Sequence, residues 1–304
     1  MYEEVLLSYL FGAIDWETTY LKLRRRNKRA NRRILTSVLI SFNTNFKGEF
    51  ESLIPETYTR LGLQNDSLKL ARSRYNYKKV AGLMELTHLY PEGAKEMING
   101  LINDPSDYVR AEAQTDYVKL NPQKPFNFFY LLQKPFALWT QISVFHLIRI
   151  HQLPVPSFAR FLNIRHPNIR NFSLRMITYF QQLENAPEIL QMIDSKLDKT
   201  RFLTYKAIND LRLYDSCDLL KKHFGNETEK NKLEILRALR NIGTEKDFEF
   251  LEDVMFSGTM SQKTEACRSM YFMGPKGKER LLEMNSQPSE ELELLIAHVT
   301  DPRN

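Results

Sequence analysis

Eight basic side chains fall within twelve residues near the start of the chain, with no acidic residue among them. The chain has 43 Lys and Arg against 37 Asp and Glu, and its net charge is +6. Without this basic block, the rest of the chain would be slightly acidic, so one segment accounts for the basic character. Such a segment could bind the phosphates of lipid head groups or of nucleic acid. The basic block consists of Lys22, Arg24, Arg25, Arg26, Lys28, Arg29, Arg32 and Arg33.

The residues alone leave three roles open for this basic block. It can be a solvated helix start that pairs with acidic residues elsewhere in the fold. It can contact an acidic lipid surface, where each basic residue contributes about 1 kcal/mol. It can also bind protein or nucleic acid, although Tyr20 is the only aromatic residue beside it and base stacking uses several. We therefore predict an anion-binding or partner-binding surface and leave its ligand open.

A second, weaker set of candidates lies further along the chain. Arg165, Arg170 and Arg175 occur without an acidic residue between them, which predicts a local positive patch. Trp139 belongs to residues 125–148, the most apolar part of the chain. We expect that segment to form a core, with an apolar groove for a partner helix as the alternative. These four residues are candidates for a concave binding face.

No group of residues has the spacing of an active site or a metal site. The six histidines include no HExxH motif and no pair four residues apart, and no cysteine or carboxylate completes a set. The segment GPKGK at 274–278 lacks the hydroxyl residue of a phosphate loop and is better explained as a turn. No GxSxG motif indicates nucleophilic catalysis. We therefore predict a protein that is not an enzyme and that uses no metal or cofactor.

The composition is that of a folded protein without a membrane span. Apolar residues make up 42% of the chain, which supplies ample surface for a core. No stretch approaches the ~20 apolar residues of a transmembrane helix, and two acids precede the first apolar run, unlike a secretory signal. Cys217 and Cys267 are too few for a disulfide framework, which favours a reducing compartment. We expect a cytoplasmic protein, with the alternative that it is peripheral at the inner membrane or anchored there by a region outside this chain.

Apolar spacing predicts helices over most of residues 1–74, which we assign to an N-terminal helical region, and residues 64–74 are a connector or a short helix. A basic helix is predicted over 18–43, and its apolar face stops where the basic block begins. The first turns of this helix should therefore project into water or onto a partner. The apolar face consists of Ile34, Leu35, Val38, Leu39 and Phe42.

Two interleaved series of prolines mark a repeat in the middle of the chain, with separations of 30 to 33 residues. Proline is tolerated in the first turn of a helix, so two series predict two helices in each unit. The first series is Pro105, Pro135 and Pro167, and the second is Pro122, Pro154 and Pro187.

The same spacing continues in the C-terminal half. Residues 237–252 align with residues 268–283 at an offset of 31. Gly243 and Gly274 each follow an apolar helical run, where a helix needs a left-handed stop. Second helices are predicted to start near residues 105, 135, 167, 199, 228, 260 and 289. A period of about 30 residues made of two helices is typical of an α-solenoid.

One of these hairpins carries a motif known from a repeat family. Asp104 and Pro105 form its turn, and Val109, Arg110 and Ala113 lie on the helix that follows. This pattern resembles the HEAT repeats, especially their short bacterial form, the HEAT-like or PBS-lyase-type repeats. In such repeats the arginine ties neighbouring turns together through carboxylates or carbonyls.

The resemblance implies an all-α fold, a right-handed α-α superhelix of about seven helical hairpins over residues 75–304, preceded by the N-terminal helices. No β-sheet should occur in residues 75–300. Small residues should lie where helices approach closely, at Ala113, Ser173, Ala207, Ala238 and Ala266.

The favoured function is a non-catalytic interaction scaffold that presents a curved helical-repeat surface to a protein partner. It would act at a membrane if the basic block binds acidic lipid. The alternative is a nucleic-acid-binding protein or a HEAT-like DNA glycosylase with a concave basic face, although no catalytic acid can be assigned. A lyase or cofactor-maturation role is supported only by the name of the repeat family.

Overall fold

The computed structural model describes residues 1–24, 29–46, 48, 50–285 and 290–301, with side chains except at 29, 30, 51, 91 and 285. All regular structure in these residues is helical, as predicted, with eighteen α-helices, six short 3-10 helices and no β-strand. None of the described helices combines the length and apolar content of a bilayer-crossing segment. The chain divides into two compact units, an N-terminal unit of Met1–Val155 and a C-terminal unit of Pro156–Asn304. The predicted boundary between residues 74 and 75 falls inside the N-terminal unit.

In the described residues of the N-terminal unit, nine α-helices form the regular structure, together with a 3-10 helix at Asn127–Leu131. The α-helices are α1 (Tyr2–Leu10), α2 (Trp16–Arg24), α3 (Arg29–Asn45), α4 (Phe50–Arg60), α5 (Gln64–Ala71), α6 (Asn76–Leu89), α7 (Pro91–Leu101), α8 (Asp107–Leu120) and α9 (Leu138–Ile150).

The predicted basic helix at 18–43 corresponds to α2 and α3, while residues 25–28 lie outside the described residues. Four of the five residues on its predicted apolar face are buried, and Leu39 is fully enclosed. Ile34 is the exception, at 48% exposure. This face packs against residues of α1, α2 and α4, including Leu6, Leu23 and Ile54. Burial of this face holds α3 in place and leaves its polar side open.

The part of the C-terminal unit that the structure describes also contains nine α-helices, with 3-10 turns before several of them. They are α10 (Pro167–Tyr179), α11 (Ala186–Gln191), α12 (Asp198–Asp210), α13 (Cys217–Phe224), α14 (Glu229–Ile242), α15 (Phe248–Ser257), α16 (Met260–Phe272), α17 (Pro275–Asn285) and α18 (Glu290–Thr300).

The predicted period of the second helices is confirmed. These helices start at residues 107, 138, 167, 198, 229, 260 and 290, each within three residues of its predicted position. The helix α6, which starts at Asn76, is one further copy that the prolines did not mark. Within the N-terminal unit α6 packs on α8 and α8 on α9, and within the C-terminal unit α10, α12, α14, α16 and α18 pack in chain order. Equivalent positions of successive helices therefore lie side by side.

The first helix of each hairpin is less regular than the prolines predicted. Pro187 lies in the first turn of α11, but Pro122 and Pro154 precede only the 3-10 helices Asn127–Leu131 and Phe158–Phe161. Proline fixes φ and lacks an N–H, and both properties suit a 3-10 turn as well as an α-helix. Bulky rings fill the space that a longer helix would take. Phe126, Phe128, Phe129, Phe136, Phe158 and Phe161 are buried.

Small residues sit at the close contacts between helices, as predicted. Ala113, Ser173, Ala207, Ala238 and Ala266 are all fully buried. Of the two predicted left-handed stops, Gly274 has φ +108° and is confirmed. Gly243 has φ −71°, so that prediction is wrong. A Cβ on Gly243 would clash with the carbonyl oxygen of Leu239, so this close approach to the backbone of α14 rather than a left-handed conformation explains the glycine.

Candidate functional site

The repeat arginines mostly hold the turns together. Arg110, Arg170 and Arg201 each occupy the fourth position of their helix. Arg110 donates to the carbonyl of Asp104 (2.7 Å), and Arg170 and Arg201 likewise donate to the carbonyl six residues before them (3.3 and 2.9 Å). In each case the helix begins between the carbonyl and the arginine, so the hydrogen bond closes the turn that precedes the helix. Arg170 is therefore a structural residue and not the exposed candidate that the sequence indicated.

A polar ladder joins successive second helices in the C-terminal unit. Asp198, the first residue of α12, accepts from the Thr228 hydroxyl (2.9 Å) and the Asn231 amide (3.0 Å). One repeat later, Glu229 accepts in the same way from the threonine (2.7 Å) and glutamine at the equivalent positions of α16. The two sets are offset by 31 residues, so this ladder fixes the register in which the repeats stack.

The structure distributes the predicted basic block over several environments. Arg25, Arg26 and Lys28 lie outside the described residues, and Arg29 is described only by its backbone. Lys22 and Arg24 are exposed at the end of α2, Arg32 is half-buried, and Arg33 is exposed on α3.

Arg32 is bound within the fold. Its guanidinium donates to Asp66 Oδ2 (2.5 Å) and to the carbonyls of Leu61 (3.2 Å) and Gly62 (2.8 Å). These bonds tie α3 to the turn between α4 and α5. The sequence placed Arg32 among the ligand-binding candidates, but its donors stabilise the fold.

The remaining described arginine of α3 faces a basic cleft between α3, α5 and α6. The cleft has a volume of about 300 Å³. Arg33, Lys69 and Lys78 supply three cationic side chains, one from each helix, and Ser73 adds a hydroxyl. Lys69 and Lys78 lie more than 30 residues from the basic block, which is why sequence reasoning missed them. We call this feature the basic cleft.

A buried hydrogen-bonded chain lies beside the basic cleft. The Tyr58 hydroxyl donates to Ser67 Oγ (2.7 Å), and Ser67 donates to Glu85, which also lines the cleft. Burial raises the pKa of Glu85, although the Ser67 hydrogen bond and the nearby Arg33 charge partly oppose this. The Glu85 carboxylate therefore repels anions less than an exposed one would.

Aromatic rings flank the basic cleft. Arg74 lies over the ring of Tyr75 (4.8 Å), and Lys78 lies between the rings of Tyr75 (4.7 Å) and Tyr77 (5.8 Å). Tyr75 and Tyr77 are both exposed. The surface around the cleft thus combines positive charge with aromatic rings, a combination that the basic block lacks in the sequence.

Tyr77 also begins a row of exposed aromatic residues. Tyr77, Tyr108 and Trp139 each occupy the second position of α6, α8 and α9 and are spaced 31 residues apart. Their exposed fractions are 63%, 62% and 73%. We call these three residues the aromatic ladder. Trp139 was expected in a core and as a weaker binding candidate. The core expectation is wrong for this residue, because its side chain is exposed. Alignment of the second positions at the repeat period would have revealed the ladder.

The C-terminal unit carries a different row, which we call the basic stripe. Arg175, Lys206, Arg237 and Arg268 occupy the ninth position of α10, α12, α14 and α16. Arg237 forms ion pairs with the buried Glu234 (3.4 Å) and Glu265 (3.5 Å), which neutralise part of the stripe. Of the other three residues, Lys206 is exposed and Arg268 is half-buried.

Arg175 and Lys206 flank a cleft of about 540 Å³ with Tyr179 and Asp210. Burial lowers the pKa of Arg175. Arg165 is exposed and does not line this cleft. The predicted patch of three arginines is therefore divided among three environments.

Neither a metal centre nor a reactive thiol is formed by the described residues. Within them, no three His, Cys, Asp or Glu side chains come together in a way that could hold a metal ion. Cys217 and Cys267 are free thiols. Burial raises the pKa of Cys217 to about 11 and that of Cys267 to about 12. Both thiols are therefore protonated at neutral pH and are poor nucleophiles.

Comparison with known proteins adds little to the geometry. No family model matches the chain, and no curated protein matches it. Among solved structures, two crystal structures of engineered proteins from the Northeast Structural Genomics Consortium are similar. The first is 12% identical with a TM-score of 0.42, and the match covers 91% of this chain and 86% of the engineered chain. The second is 11% identical with a TM-score of 0.36, and the match covers 69% of this chain and 96% of the engineered chain. At these values the likeness carries no argument about function.

Proposed function

We propose that this protein is a non-catalytic scaffold whose N-terminal unit binds an extended segment of a protein partner along the aromatic ladder. The observation that carries this proposal is the regular exposure of Tyr77, Tyr108 and Trp139. Exposed single aromatic residues are common, but three at one position of neighbouring helices form a surface. Tyr and Trp are also the residue types most enriched where protein interfaces concentrate their binding energy.

The spacing of the ladder supports a polyproline II segment as the ligand. Packed helices have axes roughly 8–10 Å apart. A polyproline II helix has three residues per turn and rises about 3.1 Å per residue, so equivalent side chains recur every ~9.3 Å. One side chain in every three could therefore meet one ring of the ladder. Proline-rich segments dock on aromatic-lined grooves and lose little chain entropy when they bind.

The regular hairpins also support a HEAT-like classification of the repeats. The period of about 31 residues and the arginine that closes three of the turns are the features expected of that family. Helical repeat arrays generally present extended binding surfaces. We place the protein in the cytoplasm, with an acidic inner-membrane surface as a second contact for the exposed Lys22 and Arg24.

Peptide binding by ladder variants tests this proposal. The probe is a synthetic peptide with proline at every third position, and Trp139 fluorescence in a Trp16→Phe background reports its binding. We expect Tyr108→Ala to weaken binding about tenfold, a loss of ~1.4 kcal/mol. Tyr214→Ala removes an equally exposed tyrosine of the C-terminal unit and should have no effect.

A failure of all proline-rich peptides to bind would contradict the polyproline form of the proposal. The scaffold role itself is tested by crosslinked affinity capture from the native cell. The bait is compared with a variant in which all three ladder residues are alanine. Partners retained equally by both baits would show that the ladder is not the binding surface.

Nucleic-acid binding is the second candidate, and the basic stripe is the observation that favours it. Lys206 and Arg268 are not paired with any carboxylate among the described residues, and they recur at the repeat period. A binder should retard DNA with a steep dependence on salt. Reversal of charge at Lys206 and Arg268 should then abolish retardation. Arg170 is unsuitable for this test because its loss would disturb a repeat turn.

A further inference from the structure

The basic cleft gathers cations from three separate helices. Arg33 comes from α3, Lys69 from α5 and Lys78 from α6. The cleft volume of about 300 Å³ lies at the lower end of the range for small-ligand sites. Such convergence differs from a charged helix face, where like charges spread along one element into water.

The charges in the basic cleft do not cancel. Of its two carboxylates, Asp66 is engaged by Arg32 (2.5 Å), and Glu85 accepts a hydrogen bond from Ser67. No hydrogen bond or ion pair joins Arg33 or Lys69 to another residue in the described part of the chain. Three cations therefore face the Glu85 carboxylate, and the local charge is positive.

The walls of the basic cleft are fixed before any ligand arrives. Arg32 ties α3 to the carbonyls of Leu61 and Gly62. At the other wall Gly82 brings α6 so close to α5 that a Cβ would lie 2.6 Å from the carbonyl oxygen of Ser67. Binding to a preformed site costs less ordering entropy than binding to a flexible surface.

The donors of the basic cleft are of the kinds that bind phosphate. The Ser73 hydroxyl accepts a hydrogen bond from the amide of Tyr75 (3.3 Å), so its own proton is available for donation. The Lys78 ammonium rests against the ring of Tyr75, which limits its motion. A guanidinium can donate two parallel hydrogen bonds to one phosphate group.

We propose that the basic cleft is a binding site for a phosphate monoester, held by Arg33, Lys69, Lys78 and the Ser73 hydroxyl. A phosphate monoester carries close to two negative charges at neutral pH and three terminal oxygens, which match the excess charge and the several donors. A carboxylate offers one charge and two oxygens and would leave donors unused. This site does not depend on the peptide-binding role of the aromatic ladder.

The phosphate can belong to a lipid head group or to a soluble molecule. The two sources share the same chemistry, and separate probes distinguish them. Glycerol 3-phosphate and inorganic phosphate represent the soluble source. Phosphatidylcholine vesicles that contain phosphatidic acid represent the lipid source, and vesicles with phosphatidylserine at equal surface charge serve as their control.

Calorimetric titration and vesicle sedimentation of the full chain test the site. We expect Lys69→Gln and Lys78→Gln each to weaken binding of the phosphate probes about tenfold or more. Glu85→Gln should strengthen binding, because it removes the one negative charge that is not paired. Lys124→Gln is the matched control, since Lys124 is exposed in the same unit and lies outside the cleft.

The outcomes separate the sources and can overturn the site. Binding of glycerol 3-phosphate that is lost in Lys69→Gln identifies a soluble ligand. Binding only to vesicles with phosphatidic acid, lost in the same variant, identifies a lipid. No binding in either arm, or binding that the cleft variants and the Lys124 control change equally, would overturn the proposal. The thermal unfolding of each variant shows whether it is folded.

Discussion

A buried ion pair in the C-terminal unit allows a quantitative prediction. The Glu227 side chain is 3% exposed and lies between α13 and α14. Arg201 donates to both of its oxygens (2.5 and 3.0 Å), and the Tyr205 hydroxyl and the Asn231 amide add one bond each (2.7 Å). Both oxygens of this carboxylate therefore accept hydrogen bonds from residues of α12 and α14.

The substitution Glu227→Gln removes the charge and keeps the shape. Glutamine can still accept through one oxygen, but its amide group would face the donors of Arg201. Loss of one partner of a buried ion pair costs about 3–5 kcal/mol, because the other charge stays desolvated. Arg201 is 19% exposed and keeps a second ion pair with Asp198 (3.6 Å), so we expect a loss at or below the lower end of this range. A loss of this size is a large share of the ~5–15 kcal/mol that keeps a protein folded.

The pH dependence of this stabilisation follows from the pKa of Glu227. Burial alone would raise this pKa, but the hydrogen bonds from Arg201, Tyr205 and Asn231 outweigh burial and lower it. A lowered pKa in the folded state means that the carboxylate stabilises the protein above its unfolded pKa of about 4.3. The contribution disappears as the pH falls through the lower, folded value. The difference in the free energy of unfolding between native protein and Glu227→Gln should therefore be largest at neutral pH and should shrink in acid.

Urea unfolding measures the difference in stability between native protein and Glu227→Gln, and hydrogen exchange in α12 and α14 shows where the loss occurs. Glu249→Gln is the control, because Glu249 is exposed in the same unit and should change stability by no more than about 0.5 kcal/mol. The reasoning is refuted if Glu227→Gln is as stable as the control at neutral pH. It is also refuted if its deficit stays constant as the pH falls.

Two further predictions concern the walls of the basic cleft. Gly82→Ala should destabilise the N-terminal unit by roughly 1–3 kcal/mol in urea unfolding, because its Cβ would meet the backbone of α5. Gly100→Ala, with open space around its Cβ, should be neutral or stabilising, and equal effects of the two changes would contradict this reasoning. Glu85→Gln should raise the melting temperature at neutral pH, because burial raises the pKa of Glu85 and so makes its ionised form unfavourable in the folded state. Melting curves in acid should show this gain disappear as the native carboxyl becomes protonated, and a gain that persists there would argue against a charge effect.

The sequence by itself determined the helical class and the period of the repeats. Apolar positions at helical spacing must be buried, so the starts of the second helices could be placed within three residues. Small residues such as Ala113 could be assigned to buried positions from their place in the helical pattern. These conclusions depend on local spacing, which the sequence displays directly.

The tertiary structure decided which charged and aromatic residues are available to a ligand. Arg32 and Arg33 are neighbours in sequence, yet one is bound to Asp66 and the other faces the basic cleft. Lys69 and Lys78 reach the same cleft from other helices, because α3 and α5 both pack against α6. Hydrogen-bond partners and exposure depend on contacts between residues that are distant in sequence. For this reason the basic block could be recognised from the sequence, but the cleft and the exposure of the aromatic ladder required the packed helices.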